Sequence, residues 1–178
     1  MIETERLLLR KPQLEDADGA AELLADPKVM HWLGGQTVPR EDVPAVLAKW
    51  ISRWGDNGCG PFSVLRREDG RWLGRVGILV WDTRDAWTHG TFTGSGEFAQ
   101  PELGWAFASE HWGQGYATEA ARAAREWAYG DLGVKRLVSL IDPANVSSQR
   151  VAERLGATPG ETIELFDNGP HVVWEHPR

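Results

Sequence analysis

The sequence predicts an α/β fold: a mixed, mostly antiparallel sheet of about seven strands with helices on both faces. Three observations point there. Apolar segments of period two and of period 3.6 follow one another in the order βα-α-βββ-α-β-α-ββ. In the middle of the chain, the alternating run Leu103, Trp105, Phe107 and the alanine-rich run Ala117, Ala120, Ala121, Ala124 flank a turn with two glycines, Gly113 and Gly115. Glu68-Asp69-Gly70 and Asp167-Asn168-Gly169 each join two strand-like segments as hairpin turns. At 178 residues, without a composition shift or low-complexity block, the whole chain 1–178 is expected to form a single domain.

Arg6 to Arg10 reads as a first strand closed by Pro12, and Glu15 to Ala25 as a short helix with Ala17, Ala20, Ala21 and Leu24 on one side, stopped by Asp26-Pro27. A second helix spans about Glu41 to Trp54, with Val43, Val46, Leu47, Trp50, Ile51 and Trp54 at helical spacing and Pro44 confined to its first turn. Asp56-Asn57-Gly58 ends it. Phe62 to Arg67 and Trp72 to Trp81 form an antiparallel pair. Asp82 to Gln100, rich in Gly, Thr and Asp, reads as a long loop that is either functional or a solvated excursion. The strand Leu103 to Ala108 then feeds the glycine turn and a helix to about Tyr129, on which Glu119, Arg122 and Glu126 are spaced for mutual support. Lys135 to Ile141 is a further strand ended by Asp142-Pro143. A helix opened by Asn145 turns Val151, Ala152 and Leu155 inward and stops at Gly156. Thr162 to Phe166 and His171 to Glu175 close the sheet.

Composition excludes several function classes. The net charge is −7 with no clustered Lys/Arg stripe, so no nucleic-acid partner is expected. The acidic balance serves solubility or favours approach of a cationic amine. One cysteine, Cys59, permits neither an intrachain disulfide nor a CxxC site, which suits a reducing cytoplasm. The first residues lack the apolar core of a signal peptide, and no apolar run reaches the roughly 20 residues that cross a bilayer, so a cytoplasmic, unanchored protein without a membrane partner is expected. The five histidines share no metal-ligand spacing and no GxSxG elbow occurs, which argues against a zinc or serine hydrolase and against any bound metal. Ten tryptophans exceed the usual number; most belong to packing, with a few available to wall a pocket.

The stretch from His111 to Ala120 organises the rest. Small residues let a ligand approach the backbone, and the first N–H groups of a helix have no intrahelical partner, so a pyrophosphate fits there. The Walker pattern GxxxxGK(S/T) is absent, and a GxGxxG fingerprint would open the first βα unit rather than lie past mid-chain. An ordinary ligand-free turn is the plain alternative. Trp112 to Ala117 resembles motif A of the GNAT superfamily of acyl-CoA-dependent N-acetyltransferases, Gln/Arg-x-x-Gly-x-Gly/Ala, with Trp112 in place of the first Gln or Arg. The form WGxGYATEA, matched from Trp112 to Ala120, and the opening ERLLLR with its short helix and Asp-Pro pair are similar to the Rim-type, ribosomal-protein-alanine branch.

The resemblance implies a fold, a co-substrate and a set of site residues. Two strands, ending near Ala108 and Ile141, would splay apart and admit pantetheine between them. Acetyl-CoA would be held through the backbone of Phe107 and Ala108 and through the amides of Trp112, Gly113, Gln114, Gly115, Tyr116, Ala117 and Thr118. Asn145 and Ser148, an NxxS pattern, would face the thiol end; alternatively Asn145 is a helix cap and Ser148 a first-turn residue. The position at which many members carry a thiol-protonating tyrosine is Ala152 here, leaving Ser148 or water for that step. Glu102 is either the water-relayed base for the acceptor amine or a surface carboxylate on an edge strand. A backbone N–H near Phe107 would polarise the thioester carbonyl. The implied reaction is direct attack of a primary amine, on a protein N-terminus or a small molecule, upon acetyl-CoA, with homodimers common among look-alikes. A non-catalytic acyl-CoA-binding domain and a tryptophan-rich interaction module are the rivals.

Overall fold

The computed structural model describes residues 1–83, 87–92 and 99–178. Among them nine strands form one sheet: β1 (Ile2–Glu3), β2 (Leu7–Arg10), β3 (Pro61–Arg66), β4 (Trp72–Asp82), β5 (Thr88–His89), β6 (Ala99–Phe107), β7 (Val138–Ile141), β8 (Thr158–Glu164) and β9 (Pro170–Glu175). The spatial order is β1-β2-β3-β4-β6-β7-β9-β8, with β5 paired to β4. Every pairing is antiparallel except β6 with β7, which is parallel. The two strands beyond the expected seven, β1 and β5, have two residues each, too few to show a period.

The helices are α1 (Ala17–Ala25), α2 (Pro27–Met30), α3 (Val43–Asn57), α4 (Tyr116–Gly130) and α5 (Val146–Arg154). α1 begins two residues later than its spacing predicts, because Leu14–Asp16 forms a 3-10 turn. Asp16 is buried there and takes the Arg10 guanidinium through both oxygens at 3.0 and 2.5 Å, the Ser63 hydroxyl at 2.6 Å and the Gln13 N–H at 2.9 Å. These bonds tie the start of α1 to β2 and β3. Asp26-Pro27 stops α1 as expected, and Asp26 at once caps α2 by accepting from the Lys28 N–H at 2.9 Å.

The two faces of the sheet bury different helices. On one, α4 lays Ala120, Ala121, Ala124 and Ala128 against Val64, Val76, Ile78, Leu103 and Phe107, and α5 adds Val151 and Leu155. On the other, α1, α2 and α3 gather Ala20, Leu24, Val29, Val43, Leu47 and Trp50 around Trp72 and Ala106. The predicted apolar stripe of α3 holds except at Ile51, which is 37% exposed. The expected support among Glu119, Arg122 and Glu126 gives way to a long-range tie. Glu119 accepts from the Thr4 hydroxyl at 2.6 Å, the Arg6 N–H at 2.9 Å and Arg6 Nε at 2.7 Å, fastening the N-terminal segment to α4.

The stretch Asp82 to Gln100, expected as a loop, is partly sheet. β5 pairs with β4 and β6 already begins at Ala99, while residues 84–86 and 93–98 lie outside the described set. Among the described residues no helix is long and apolar enough to cross a membrane.

Candidate functional site

β6 pairs with β4 over its whole length but with β7 only at Glu102 and Val138. The Ala108 N–H donates to the Leu73 carbonyl at 3.0 Å, which makes that pair hydrogen-bonded. Antiparallel pairs alternate, so the N–H and C=O groups of Leu103, Trp105 and Phe107 point away from β4, toward the β7 side. Leu103 finds a partner there, since its carbonyl accepts from the Ser139 hydroxyl at 2.5 Å. Beyond that point β7 offers no further ladder, and the backbone of Trp105 and Phe107 faces an opening between the strands. A cleft of about 380 Å³ passes through this opening, lined by Trp105, Phe107 and Tyr116 on the α4 face and by Glu102, Gly104 and Ala106 on the other.

The glycine turn forms the outer wall on the α4 side. Gly113 has φ +75° and Gly115 φ +81°, left-handed values that a side chain disfavours, and Gly115 is the N-cap of α4 without any side-chain cap. The Trp112 N–H is committed to the Ser109 carbonyl at 3.2 Å, which removes it from the amides expected to be free; those from Gly113 to Thr118 remain. The Trp112 indole is turned back and donates to the Phe107 carbonyl at 2.8 Å. Ala108 is buried; its N–H is used in the sheet and its carbonyl accepts from the His111 N–H. The Gln114 carbonyl accepts from Arg6 Nη1 at 3.0 Å, and its residue borders a second, shallower hollow beside Arg122 and Arg154 rather than the main cleft. Arg150 and Arg154, one turn apart on α5, line the mouth of the main cleft. Their i, i+4 spacing was visible in the sequence, but which face of α5 meets the turn was not.

Asn145 and Ser148 both line the cleft. Asn145 Oδ1 accepts from the Ser148 N–H at 3.1 Å, so the helix-cap alternative is realised, and the same cap holds both residues at the cleft wall. Ala152 is fully buried against Ile141, Ala157 and Trp174.

Glu102 is not a surface carboxylate, and β6 is not an edge strand. Its residue is 8% exposed, between β4 and β7, and Trp81 Nε1 donates to one carboxylate oxygen while the Leu140 N–H lies 3.5 Å from the other. Burial raises its pKa above the ordinary glutamate value, against the Trp81 hydrogen bond, which lowers it. Nothing in the sequence paired Trp81 with Glu102; the match of Trp81 with Gln100 in the β4–β6 register brings them together. On the same face Val29, Trp32 and Leu33 form an apolar wall, with Arg75, Leu79 and His171 completing the chamber. Among the described residues no three His, Cys, Asp or Glu side chains gather as a metal site requires.

A buried carboxylate at a break between two parallel strands, beside an uncapped helix N-terminus, sets the terms for comparison with known proteins. The family described as acetyltransferase (GNAT) domain matches residues 6–158. The chain belongs to the GNAT acetyltransferase family. Relatives of this GNAT protein include an uncharacterised Bacillus subtilis protein, YkkB, 33% identical over 97% of this chain and 92% of that one. Among solved structures, an Agrobacterium tumefaciens acetyltransferase superposes with a TM-score of 0.77 at 29% identity, over 99% of this chain and 94% of that one. A putative ribosomal-protein-serine acetyltransferase from Vibrio cholerae has the same fold, with a TM-score of 0.75 at 21% identity, over 99% of this chain and 97% of that one. The GNAT fold thus accounts for the mixed, mostly antiparallel sheet.

Proposed function

We propose that the protein transfers the acetyl group of acetyl-CoA to a primary amine by direct attack. The observation that carries this reading is the placement of buried Glu102 beside the open backbone of β6, where one chamber meets the other through the sheet.

The residues present fit acetyl-CoA. Gly113 and Gly115 leave the turn free of side chains, the amides from Gly113 to Thr118 are uncommitted among the described residues, and Arg150 and Arg154 add positive charge at the mouth. The bound thioester supplies an activated acetyl carbon with a thiolate leaving group. The Phe107 N–H, pointing into the opening, serves as donor to the carbonyl oxygen as negative charge develops there. Glu102, through a water, accepts the proton of the ammonium so that the amine attacks neutral. The C–N bond forms and the C–S bond breaks; the second proton of the attacking nitrogen leaves as the amide forms and passes, through Ser148 or water, to the departing thiolate. Ala152, buried in the core, supplies no acid from the position where many members carry a tyrosine, and a thiol of pKa about 8.5 leaves without one.

The test is thiol release from acetyl-CoA in the presence of a panel of primary amines, with product mass confirming the N-acetyl group. Release above hydrolysis with at least one amine supports transfer. Acetyl-CoA binding without release for any amine would instead make this a non-catalytic acyl-CoA-binding protein.

A further inference from the structure

The chamber on the α1–α3 face is lined by the guanidinium of Arg75 and has that of Arg53 close to it, and the described residues provide a carboxylate partner for neither. Arg75 projects from β4, on the same face as Glu102, and lines the cleft; its Nε is fully buried without a hydrogen bond. Its guanidinium carbon lies 5.2 Å from the centroid of the Trp50 ring. Arg53, one turn of α3 beyond Trp50, is half-buried and close enough to repel Arg75 electrostatically. Burial, and then Arg53, pull the Arg75 pKa down to about 10. His89 is likewise shifted down, by burial and then by Arg53, and stacks on Trp81 at 4.2 Å between centroids. Among the described residues, Glu102 is the one acidic group whose charge is felt by Arg53 and Arg75, and it forms no ion pair with either.

A buried guanidinium without a counter-charge is expensive, and it persists where a ligand supplies the missing anion. Arginine is suited to this because its planar fork takes a carboxylate through two parallel hydrogen bonds. Among the described residues, two cations against one carboxylate of raised pKa make the surroundings of the Arg75 guanidinium electropositive, although the whole chain carries −7. A polycationic acceptor would meet repulsion there.

Building on the acetyl-transfer reading, we infer that the acceptor is an amine that also carries a carboxylate: its nitrogen sits by Glu102, its carboxylate pairs with Arg75 near Arg53, and its apolar part lies on Val29, Trp32 and Leu33. The overall acidity of the chain, which on its own favours a cationic amine, does not describe the field inside this chamber. Free amino acids and short acidic peptides share this chemistry.

Matched amines test it. Thiol release is compared for phenylalanine against phenylalaninamide, for 5-aminopentanoate against 1,5-diaminopentane, for the C-terminally amidated dipeptide Ala-Glu amide against Ala-Gln amide, and for spermidine. The carboxylate member of at least one pair should be preferred in kcat/KM, and the pair that shows it separates free amino acids from peptides. Arg75→Met should raise KM for that member about ten- to hundredfold, the range of a charged hydrogen bond, while leaving its carboxylate-free counterpart and the Kd of acetyl-CoA nearly unchanged. Arg75→Lys, which keeps the charge and the stem over Trp50, should recover part of the loss, and thermal melting of both variants checks that they fold. Preference for spermidine or diaminopentane, or equal effects of Arg75→Met on both members of each pair, would overturn the inference while leaving acetyl transfer standing. If no amine releases thiol, calorimetric titration of the same amines into the CoA-saturated protein still decides: Arg75-dependent binding of the carboxylate members upholds the anion site, and its absence ends it.

Discussion

Glu102 is held where its charge is costly, and that cost suits a base. Because burial raises its pKa, kcat/KM should climb with pH through a value above the ordinary glutamate range as the carboxylate loses its proton. Glu102→Gln should lower kcat by about 10²- to 10⁴-fold and remove that acid limb, while calorimetry shows an unaltered Kd for acetyl-CoA. The same substitution should stabilise the fold. A carboxyl whose folded pKa lies above its unfolded one contributes stability below the unfolded value and loses it as pH rises through the folded one; Gln, with its oxygen still open to Trp81, escapes that loss, so Tm at pH 8 should exceed that of the wild type. A loss of only a few-fold in kcat with the acid limb intact would assign deprotonation elsewhere. Gly115 makes the complementary prediction. A Cβ there lies 3.4 Å from Arg6 Nη2 at φ +81°, and Gly115→Glu adds negative charge beside the amides that a pyrophosphate would use, so acetyl-CoA affinity should fall below calorimetric detection while circular dichroism stays native-like. Wild-type-like affinity would contradict the cradle. Glycines 113 and 115 were legible as special in the sequence because the turn chemistry is local; the burial of Glu102 was not, since an alternating strand shows which residues share a face but not which neighbours cover it.

At the scale of elements, the β6–β7 break is pinned by one short chain of hydrogen bonds. Ser139 Oγ donates to the Leu103 carbonyl and lies 2.8 Å from His176 Nε2, so Nε2 carries a proton and donates to Ser139, while the buried Nδ1 has no hydrogen-bond partner among the described residues. Burial, and then the charge of Arg125, lower the His176 pKa from 6.5 to about 4. A histidine shifted this way favours the fold above pH 6.5, and its contribution is lost as pH falls from 6.5 toward 4. The 2.5-unit gap corresponds to about 3 kcal/mol at most. Thermal melting from pH 7.5 down to 4.5 should therefore show a falling Tm, and His176→Asn should start lower and flatten that slope. An equal slope in the variant would shift the acid sensitivity to other groups. The tie between α4 and the N-terminal segment makes a second prediction at this scale. Glu119→Ala leaves the Arg6 N–H without its acceptor and the Thr4 hydroxyl with only the longer bond to the Leu7 carbonyl at 3.3 Å, and should cost about 1 to 3 kcal/mol in chemical denaturation. Sequence spacing assigned Glu119 to its helical neighbours because i, i+3 and i, i+4 pairs are the contacts that spacing can express; a partner 113 residues away is outside its reach.

For the whole molecule, the division between sequence and tertiary structure follows from the range of the forces involved. Periodicity, turn residues and caps act over a few positions, so the succession of strands and helices, the apolar stripe of α3, the hairpins at Gly70 and Gly169 and the Gly113–Gly115 turn were determined by the sequence alone. The resemblance carried by Trp112 to Ala120 extended this to family and fold, as the GNAT match over residues 6–158 bears out. Strand pairing order and register are non-local, and they decided what the sequence left open. They made β6 an interior strand and buried Glu102, and they brought Trp81 to its carboxylate. They also turned the backbone of Trp105 and Phe107 into the opening and set Arg75 of β4 on the Glu102 face, with Arg53 of α3 close to it. Local rules rank each residue by its own neighbours in the chain; the charge balance of a chamber depends on side chains drawn from α3, β4, β5 and β6, and exists only once those elements are packed together.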